Sequence, residues 1–267
     1  MTIALALSGG AARGWADIGF LRVLAEEGVT VGAVAGTSIG ALAALCLAAG
    51  RLDALEEIAL GANHARVLGY LDPDLRRGAW LRGRRIARML EHHFAGTRLE
   101  TLAIPAMLVA ADLATGEEVR LAHGCAIDAV QASMALPGLF RPVMRDGRTL
   151  IDGGMVANLP LAAARALAPE LPLVAVDLMG DYAGYAAATG VARGRSALGT
   201  VSAAWLMMVA RQTRLTLALD PPEVTAALPI GHIGLGAFTR ARDLIALGRA
   251  AAVQALPAIR AAAARPR

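Results

Sequence analysis

One pentapeptide has the residue types and the spacing that a nucleophilic serine requires. Gly36-Thr37-Ser38-Ile39-Gly40 is a G-x-S-x-G sequence with an apolar run on either side. A serine on a tight strand-to-helix turn needs small neighbours, so that its hydroxyl can project and the turn can close. The start of a helix also places backbone N–H groups beside a developing negative charge. The pattern therefore predicts a nucleophile at Ser38; an ordinary serine cap in a glycine-rich turn is the alternative.

A second turn, SGGAARG at residues 8–14, also follows an apolar run and opens a predicted helix. Its small residues would let backbone N–H groups approach a ligand oxygen closely. It lacks the Lys-Ser/Thr ending of a P-loop, and the next strand ends in the serine turn rather than in the acidic residue of a dinucleotide site. The first two strands of a β-α-β unit are often neighbours, so the two turns would meet at one sheet edge. This placement favours an oxyanion hole.

A third turn places a carboxyl group after a short apolar strand. Asp152 stands there before two glycines and is a candidate base or orienting group, although Asp-Gly-Gly is also a common turn sequence. A conventional hydrolase triad in the order Ser38, Asp177, His232 is the enzyme alternative. The five histidines show no metal-ligand spacing, so we expect no metal site.

The elements that must position these groups alternate between strand and helix over the first 50 residues. This alternation is typical of a parallel sheet covered by helices. We expect one domain over residues 1–267, a three-layer α/β/α sandwich with a central, mostly parallel sheet. Residues 3–161 would carry the motifs, and residues 162–267 would add a strand and helices. We also expect a mobile loop at residues 182–195, and core positions for Met207 and Met208 on a long apolar helix.

Composition excludes several classes of protein. Apolar residues make up 56% of the chain and charged ones 18%, which predicts a large core and excludes a mainly disordered chain. A formal charge of +4 is too small for a dedicated nucleic-acid binder. Cys46 and Cys125 lack CxxC spacing, and the first residues lack a basic leader region, so we expect a cytoplasmic protein. Residues 29–50 carry no charge, but their glycines favour strand, turn and buried helix over a membrane span.

Together, these motifs resemble the patatin-like phospholipase family, and most of all its short bacterial members. The matching pieces stand in the family's order between residues 3 and 161: SGGAARG with WADIGFLRVL, then GTSIGAL, SMALPGLFRPV and IDGGMVANLP. The later IGHIGLGAFTRARDLIALG is similar to the C-terminal part of the bacterial members. The resemblance therefore covers nearly the whole chain.

The resemblance implies a patatin-like fold and a serine acyl hydrolase that cleaves carboxylic esters of lipids or lysophospholipids. Ser38 would be the nucleophile and Asp152 its sole partner in a Ser-Asp dyad, with Gly36 and Gly40 closing the nucleophile turn. No metal or organic cofactor is needed for this route. A regulatory or binding protein of the same fold with little turnover stays open as an alternative.

The family's oxyanion loop corresponds to Gly9, Gly10 and Ala11, with Arg13 nearby. Many members have a third glycine where Ala11 stands, and alanine suffices there if its φ is negative. The position of Asp17 is frequently histidine in relatives, and that residue lies outside the dyad.

A basic segment, RRGAWLRGRRIARML from Arg76 to Leu90, holds six arginines that end at Arg88. It is either a solvated helix that packs its apolar side on the core or an interfacial patch that draws the enzyme to anionic lipid. If the interfacial interpretation holds, we expect peripheral contact with an anionic inner membrane. For the whole chain we expect a lipid or acyl-ester substrate and no nucleic-acid partner. The sequence leaves the head group, the acyl chain length and the oligomeric state open.

Overall fold

The computed structural model describes residues 1–65, 84–190 and 197–265. Within these residues, one sheet of eight strands has helices on both faces. The strands are β1 (Thr2–Leu7), β2 (Thr30–Thr37), β3 (Ala106–Asp112), β4 (Glu118–Leu121), β5 (Val143–Arg145), β6 (Arg148–Asp152), β7 (Leu173–Asp177) and β8 (Val224–Ala227). The helices are α1 (Trp15–Glu26), α2 (Ile39–Ala48), α3 (Leu52–Leu60), α4 (Arg84–Phe94), α5 (Ala126–Ser133), α6 (Leu161–Leu167), α7 (Tyr182–Thr189), α8 (Ala197–Leu219) and α9 (Ala241–Ala263).

Hydrogen-bonded neighbours follow the path β5-β6-β3-β2-β1-β7-β8; β6 and β2 pair with one edge of β3 in succession, and β4 pairs with its other edge. The pairs that join β8, β7, β1, β2 and β3 are parallel, whereas β4, β5 and β6 pair in antiparallel fashion. Such central parallel strands are buried on both faces, which explains their continuous apolar sequences. The predicted α/β fold with a mostly parallel sheet is confirmed.

The two faces of the sheet are covered unequally. Along β1, Ile3 and Leu5 belong to the larger core cluster, which includes residues of α1, α2, α5 and α9. Ala4 and Ala6 alternate with them and belong to a smaller cluster formed with α6. Successive side chains of a strand point to opposite faces, so the large side chains of β1 face one layer and its alanines the other.

The C-terminal helix packs against the first helix at very short range. A Cβ atom at Gly19 of α1 would lie 1.9 Å from the carbonyl oxygen of Ile245, and one at Gly248 of α9 would lie 1.8 Å from that of Ala16. By length and composition, Phe238–Ala263 is the one helix of the described chain that could cross a membrane. Here it covers α1 as part of the core.

Two local expectations are corrected and a third is confirmed. Residues 182–189, predicted as part of a mobile loop, form α7, whose start is capped by Asp181 through an N–H···O bond from Gly184 of 2.8 Å. Met207 and Met208, predicted as core, are exposed on α8. The segment 29–50 is β2 followed by the buried helix α2, as the glycines indicated.

The basic segment falls partly outside the described residues, which resume at residue 84. In α4, Leu90 is buried, and Ile86 and Met89 pack against the core. Arg85 and Arg88 are exposed. The apolar side of this helix therefore packs on the protein and is not free to meet a membrane.

Candidate active site

Ser38 is the single residue between β2, which ends at Thr37, and α2, which begins at Ile39. Its backbone has φ +56° and ψ −122°, a conformation that L-residues other than glycine rarely adopt. Such strain costs on the order of 1–3 kcal/mol and persists only where the surrounding structure enforces it. The strained turn at a strand-to-helix junction is the geometry that exposes a nucleophilic serine.

Two glycines let this turn close, as the G-x-S-x-G pattern predicted. A Cβ atom at Gly36 would lie 2.2 Å from the carbonyl oxygen of Gly40. A Cβ atom at Gly40 would lie 2.4 Å from the carbonyl oxygen of Leu7 at the end of β1. Any side chain at either position would collide with backbone, so both glycines are required by close packing.

The register of β3 brings Asp152 to the serine. Strands β2 and β6 pair with the same edge of β3, because β4 occupies the opposite edge at the same residues. Thr37 at the end of β2 pairs with Val109, and Asp152 at the end of β6 pairs with the next residue, Ala110. The two strands run toward each other and end at adjacent positions, so Ser38 and Asp152 meet.

The two side chains form a short hydrogen bond. Ser38 Oγ donates to Asp152 Oδ2 at 2.6 Å, and the N–H of Gly154 donates to Asp152 Oδ1 at 2.7 Å. Asp152 is 4% exposed. Burial raises the pKa of Asp152 to about 6, against the opposing effect of the hydrogen bonds from Ser38 and Gly154. A carboxylate with such a pKa is ionised at neutral pH and is a stronger base than an ordinary aspartate.

Ser133, a residue to which we assigned no role from the sequence, holds the backbone of the nucleophile. Its Oγ accepts the N–H of Ser38 at 2.9 Å and donates to the carbonyl oxygen of Val109 at 2.6 Å. The SMALPGLFRPV motif contains this serine, so the motif was the signal that could have identified it. The hydrogen bond fixes the strained turn and occupies the N–H of Ser38.

The glycine loop lies against the nucleophile. A Cβ atom at Gly9 would stand 3.3 Å from Ser38 Cβ and 2.7 Å from the side-chain oxygen of Asn158. The N–H of Gly9 donates to the carbonyl oxygen of Asn158 at 3.0 Å, so this predicted oxyanion donor is already engaged. Among the described residues, the N–H groups of Gly10 and Ala11 have no hydrogen-bond partner. These two donors are available to a ligand.

Ala11 does not meet the condition set for it from the sequence. Its φ is +48°, whereas alanine was expected to fit with a negative φ. Ala11 therefore has the left-handed conformation that glycine adopts without strain. Alanine is accommodated there at a conformational cost.

Arg13 is predicted near the oxyanion loop, but its guanidinium is used for structure. The side chain is 1% exposed. Its Nε donates to Ile233 O at 2.9 Å, and its two Nη atoms donate to Leu178 O at 3.2 Å and Gly231 O at 2.9 Å. Burial lowers the pKa of Arg13, and the nearby Asp181 partly opposes this shift. Arg13 thus joins the segments that follow β7 and β8, and each of its three side-chain nitrogens is engaged there rather than at an oxyanion.

The residues of the triad alternative have other partners. Asp177 Oδ1 accepts the N–H groups of Met179 and Gly180, each at 2.9 Å. His232 is exposed, and the hydroxyl of Ser38 donates to Asp152 instead. Across residues 1–65, 84–190 and 197–265, no cluster of three or more His, Cys, Asp or Glu side chains could hold a metal ion.

Comparison with known proteins identifies similar sequences over most of the chain. A family profile described as patatin-like phospholipase matches residues 5–165. An uncharacterized NTE family protein of Mycobacterium tuberculosis is 36% identical over 211 residues, which are 79% of this chain and 56% of that protein. Patatin-like phospholipase domain-containing protein 7 of Rattus norvegicus is 32% identical over 185 residues, which are 66% of this chain and 13% of that protein.

The solved structures show the same fold. The crystal structure of VipD from Legionella pneumophila superposes with a TM-score of 0.58 at 14% identity, over 97% of this chain and 66% of that one. This likeness concerns the fold alone. The chain spans about half the length of the mycobacterial relatives it matches.

Proposed function

The chain belongs to the patatin-like phospholipase family, and on that basis we propose that it is a serine acyl hydrolase acting on carboxylic esters of lipids or lysophospholipids through a Ser38–Asp152 dyad. Family membership supports lipid hydrolysis in general. The observation that carries the finer proposal is the 2.6 Å hydrogen bond from Ser38 Oγ to the buried Asp152. The loop that packs on Ser38 through Gly9 supports it, because the N–H groups of Gly10 and Ala11 have no partner within the described residues. We also propose that residues 1–267 act as one domain, since β7 and β8 complete the sheet that carries the dyad.

In the first half of the proposed reaction, the serine is acylated. Asp152 accepts the proton of Ser38 Oγ while the oxygen attacks the acyl carbonyl carbon. The N–H groups of Gly10 and Ala11 donate to the oxygen of the tetrahedral intermediate. The intermediate then collapses, the ester C–O bond breaks, and Asp152 returns its proton to the leaving alcohol.

In the second half, water hydrolyses the acyl-enzyme. Asp152 accepts a proton from the water, which attacks the acyl carbon and forms a second tetrahedral intermediate held by the same N–H groups. Collapse releases the carboxylic acid, and the proton on Asp152 passes to Ser38 Oγ. This route uses only groups of the protein and water, so we propose that no cofactor takes part.

The test is covalent labelling with a fluorophosphonate probe, followed by intact-mass measurement. Wild type should gain one probe, and Ser38→Ala none. Ser202→Ala, a change at an exposed serine of α8, is the matched control and should label like wild type. Hydrolysis of short p-nitrophenyl esters should fall by roughly 10³-fold or more in Ser38→Ala.

Two outcomes would contradict the proposal. Labelling of Ser38→Ala at the wild-type rate would show that another residue is the nucleophile. Labelling of Ser38 without turnover of any acyl ester would favour the binding or regulatory alternative.

A further inference from the structure

Helix α8 carries a row of exposed apolar side chains, here called the α8 row. The exposed fractions are 65% for Val201, 66% for Met208, 52% for Leu215 and 86% for Leu219. The spacings of seven, seven and four residues place all four within about 40° on a helix of 3.6 residues per turn. Single exposed apolar residues are normal on protein surfaces, whereas several that line up along one helix face are a candidate interaction site.

The opposite side of α8 is used for packing. Ala203, Leu206, Val209 and Ala210 are buried, and Thr213 is 1% exposed. The helix therefore has a complete core-facing side, and the α8 row is a second apolar side in addition to it.

The charged residues of α8 itself have one sign. Residues 197–219 contain no aspartate or glutamate. Arg211 and Arg214 are exposed, and within the described chain neither has an ion-pair partner. By contrast, α9 pairs Arg249 with Glu26 at the end of α1 and Arg260 with Glu27, the residue after it. On a helix of 3.6 residues per turn, Arg211 lies about 40–80° from the residues of the α8 row, and Arg214 lies farther round on the same flank, about 100–140° away. An apolar row flanked by unpaired arginines matches the composition of helices that lie in the interface of anionic membranes.

The α8 row lies beside the segment that follows the proposed base. Gln212 stands four residues after Met208 and three before Leu215, and so neighbours both on the helix surface. Its Oε1 accepts the N–H of Asn158 at 3.2 Å, and its Nε2 donates to Met155 O at 3.3 Å. Both partners belong to the segment directly after Asp152-Gly-Gly. A surface in contact with the α8 row would therefore adjoin this segment.

We propose that the α8 row is a membrane-docking surface that lies on an anionic phospholipid bilayer, with Arg211 and Arg214 against lipid phosphates. This inference rests on the proposed lipid substrate, which itself lies in such a surface. Pairing of two copies through the same face would bring these arginines toward each other without any acidic residue of α8 to compensate, since a two-fold interface uses the same patch twice. Charge complementarity thus selects the bilayer.

The experiment is co-sedimentation of the full chain with vesicles of phosphatidylcholine alone or mixed with phosphatidylglycerol. Wild type should bind the mixed vesicles more strongly than the neutral ones. The triple change Met208→Gln, Leu215→Gln and Leu219→Gln should lower the partition coefficient at least tenfold. The double change Arg211→Gln and Arg214→Gln should lower it about tenfold at low salt and much less at high salt, because salt screens exposed charges.

Matched controls separate this surface from general hydrophobicity. Val253 on α9 is 58% exposed and Met144 on β5 is 68% exposed, and both lie outside α8. Val253→Gln and Met144→Gln should bind vesicles as wild type does. Circular dichroism of every variant should match wild type, because only exposed side chains change.

The readouts distinguish this inference from the proposed function. All these variants should keep wild-type fluorophosphonate labelling and wild-type hydrolysis of a soluble p-nitrophenyl ester. Failure of labelling in wild type would contradict the proposed dyad while vesicle binding still tests the docking surface. Undiminished vesicle binding by the triple variant would overturn the inference. The inference would also be overturned if the triple change altered only the oligomeric mass measured by light scattering. That result would show that the α8 row contacts a second copy of the chain.

Discussion

Two regions of this molecule each combine a buried carboxyl group with a non-glycine residue in the left-handed backbone region. In the β2–α2 turn the pair is Ser38, with φ +56°, and Asp152. Around the β1–α1 turn the pair is Ala11, with φ +48°, and Asp17. By burial and strain alone, the two regions look alike.

Their contacts are different. Asp152 receives hydrogen bonds from Ser38 and Gly154. Asp17 is completely buried, and neither of its carboxyl oxygens has a hydrogen-bond partner within the described chain. Burial alone raises the pKa of Asp17 well above its usual range. Perturbed carboxyl groups mark candidate sites only together with geometry, and here a contact to a strained nucleophile separates one region from the other.

The largest expected difference between the regions is in catalysis. Asp152→Asn should lower kcat/KM for a p-nitrophenyl ester by roughly 10³–10⁴, because an amide cannot accept the serine proton. Asp17→Asn should leave kcat/KM within about twofold of wild type, since Asp17 makes no hydrogen bond to the dyad within the described chain. Steady-state kinetics on folded variants measures both.

A third variant in the same assay tests the triad alternative. His232→Ala should stay within about threefold of wild type, because the exposed His232 is not a partner of Asp152. If it is as damaging as Asp152→Asn, the dyad is refuted. If Asp17→Asn is as damaging, the distinction between the two regions is refuted.

The next effect concerns the pH dependence of the reaction. The carboxylate form of Asp152 is the active base, so activity is present above its pKa of about 6 and is lost as the pH falls below it. We expect kcat/KM to be level above neutral pH and to decrease about tenfold per pH unit well below pH 6. The profile of Asp17→Asn should superpose on that of wild type. If the acidic part of the kcat/KM profile shifts in Asp17→Asn, the titrating group is Asp17 and not Asp152.

Much of the fold and part of the site follow from the sequence, because those features are local. Apolar runs that end in glycine turns predicted β1, β2 and the position of Ser38. The role of Asp152 was ambiguous from its own Asp-Gly-Gly turn, since its meeting with Ser38 depends on the register of β2 and β6 along β3. That register is a long-range property, and only the family resemblance supplied it in advance.

The details that sequence reasoning missed are contacts between distant segments. The N–H of Gly9 is taken by the carbonyl oxygen of Asn158, and the guanidinium of Arg13 by carbonyl groups more than 160 residues away. Backbone carbonyls occur at every residue, so no residue type signals them. Ser133 also acts through distant segments. It is the last residue of α5, and its Oγ hydrogen-bonds to the N–H of Ser38 and to the carbonyl oxygen of Val109.

A smaller effect concerns the contribution of Asp17 to stability. The pKa of Asp17 is raised in the folded state, so the unfolded chain ionises first, and the free energy of unfolding falls as the pH rises above about 4 toward the folded pKa. Asp17→Asn removes the ionisable group and with it this decrease in the free energy of unfolding. At pH 8 it should raise the free energy of unfolding relative to wild type, because an amide cannot ionise in the buried site.

Urea denaturation at pH 5 and pH 8 measures this effect. The gain from Asp17→Asn should be larger at pH 8 than at pH 5. Asp128→Asn, on the exposed side of α5, is the control and should change stability by less than about 0.5 kcal/mol. A destabilised Asp17→Asn variant at pH 8 would show that this carboxylate has a stabilising partner after all.

The smallest expected effect concerns Ala11, the counterpart of Ser38 in the comparison. Ala11→Gly relieves a left-handed conformation but adds freedom to the unfolded chain, so the free energy of unfolding should rise by less than about 1 kcal/mol. Since glycine keeps the N–H that we assign to the oxyanion, kcat/KM should stay within about threefold of wild type. Ala12→Gly is the matched control: Ala12 lacks the positive φ, so its replacement should destabilise by roughly 0.5–1 kcal/mol. Urea denaturation of the two variants should therefore give changes of opposite sign, and equal losses would mean that Ala11 is not strained in solution.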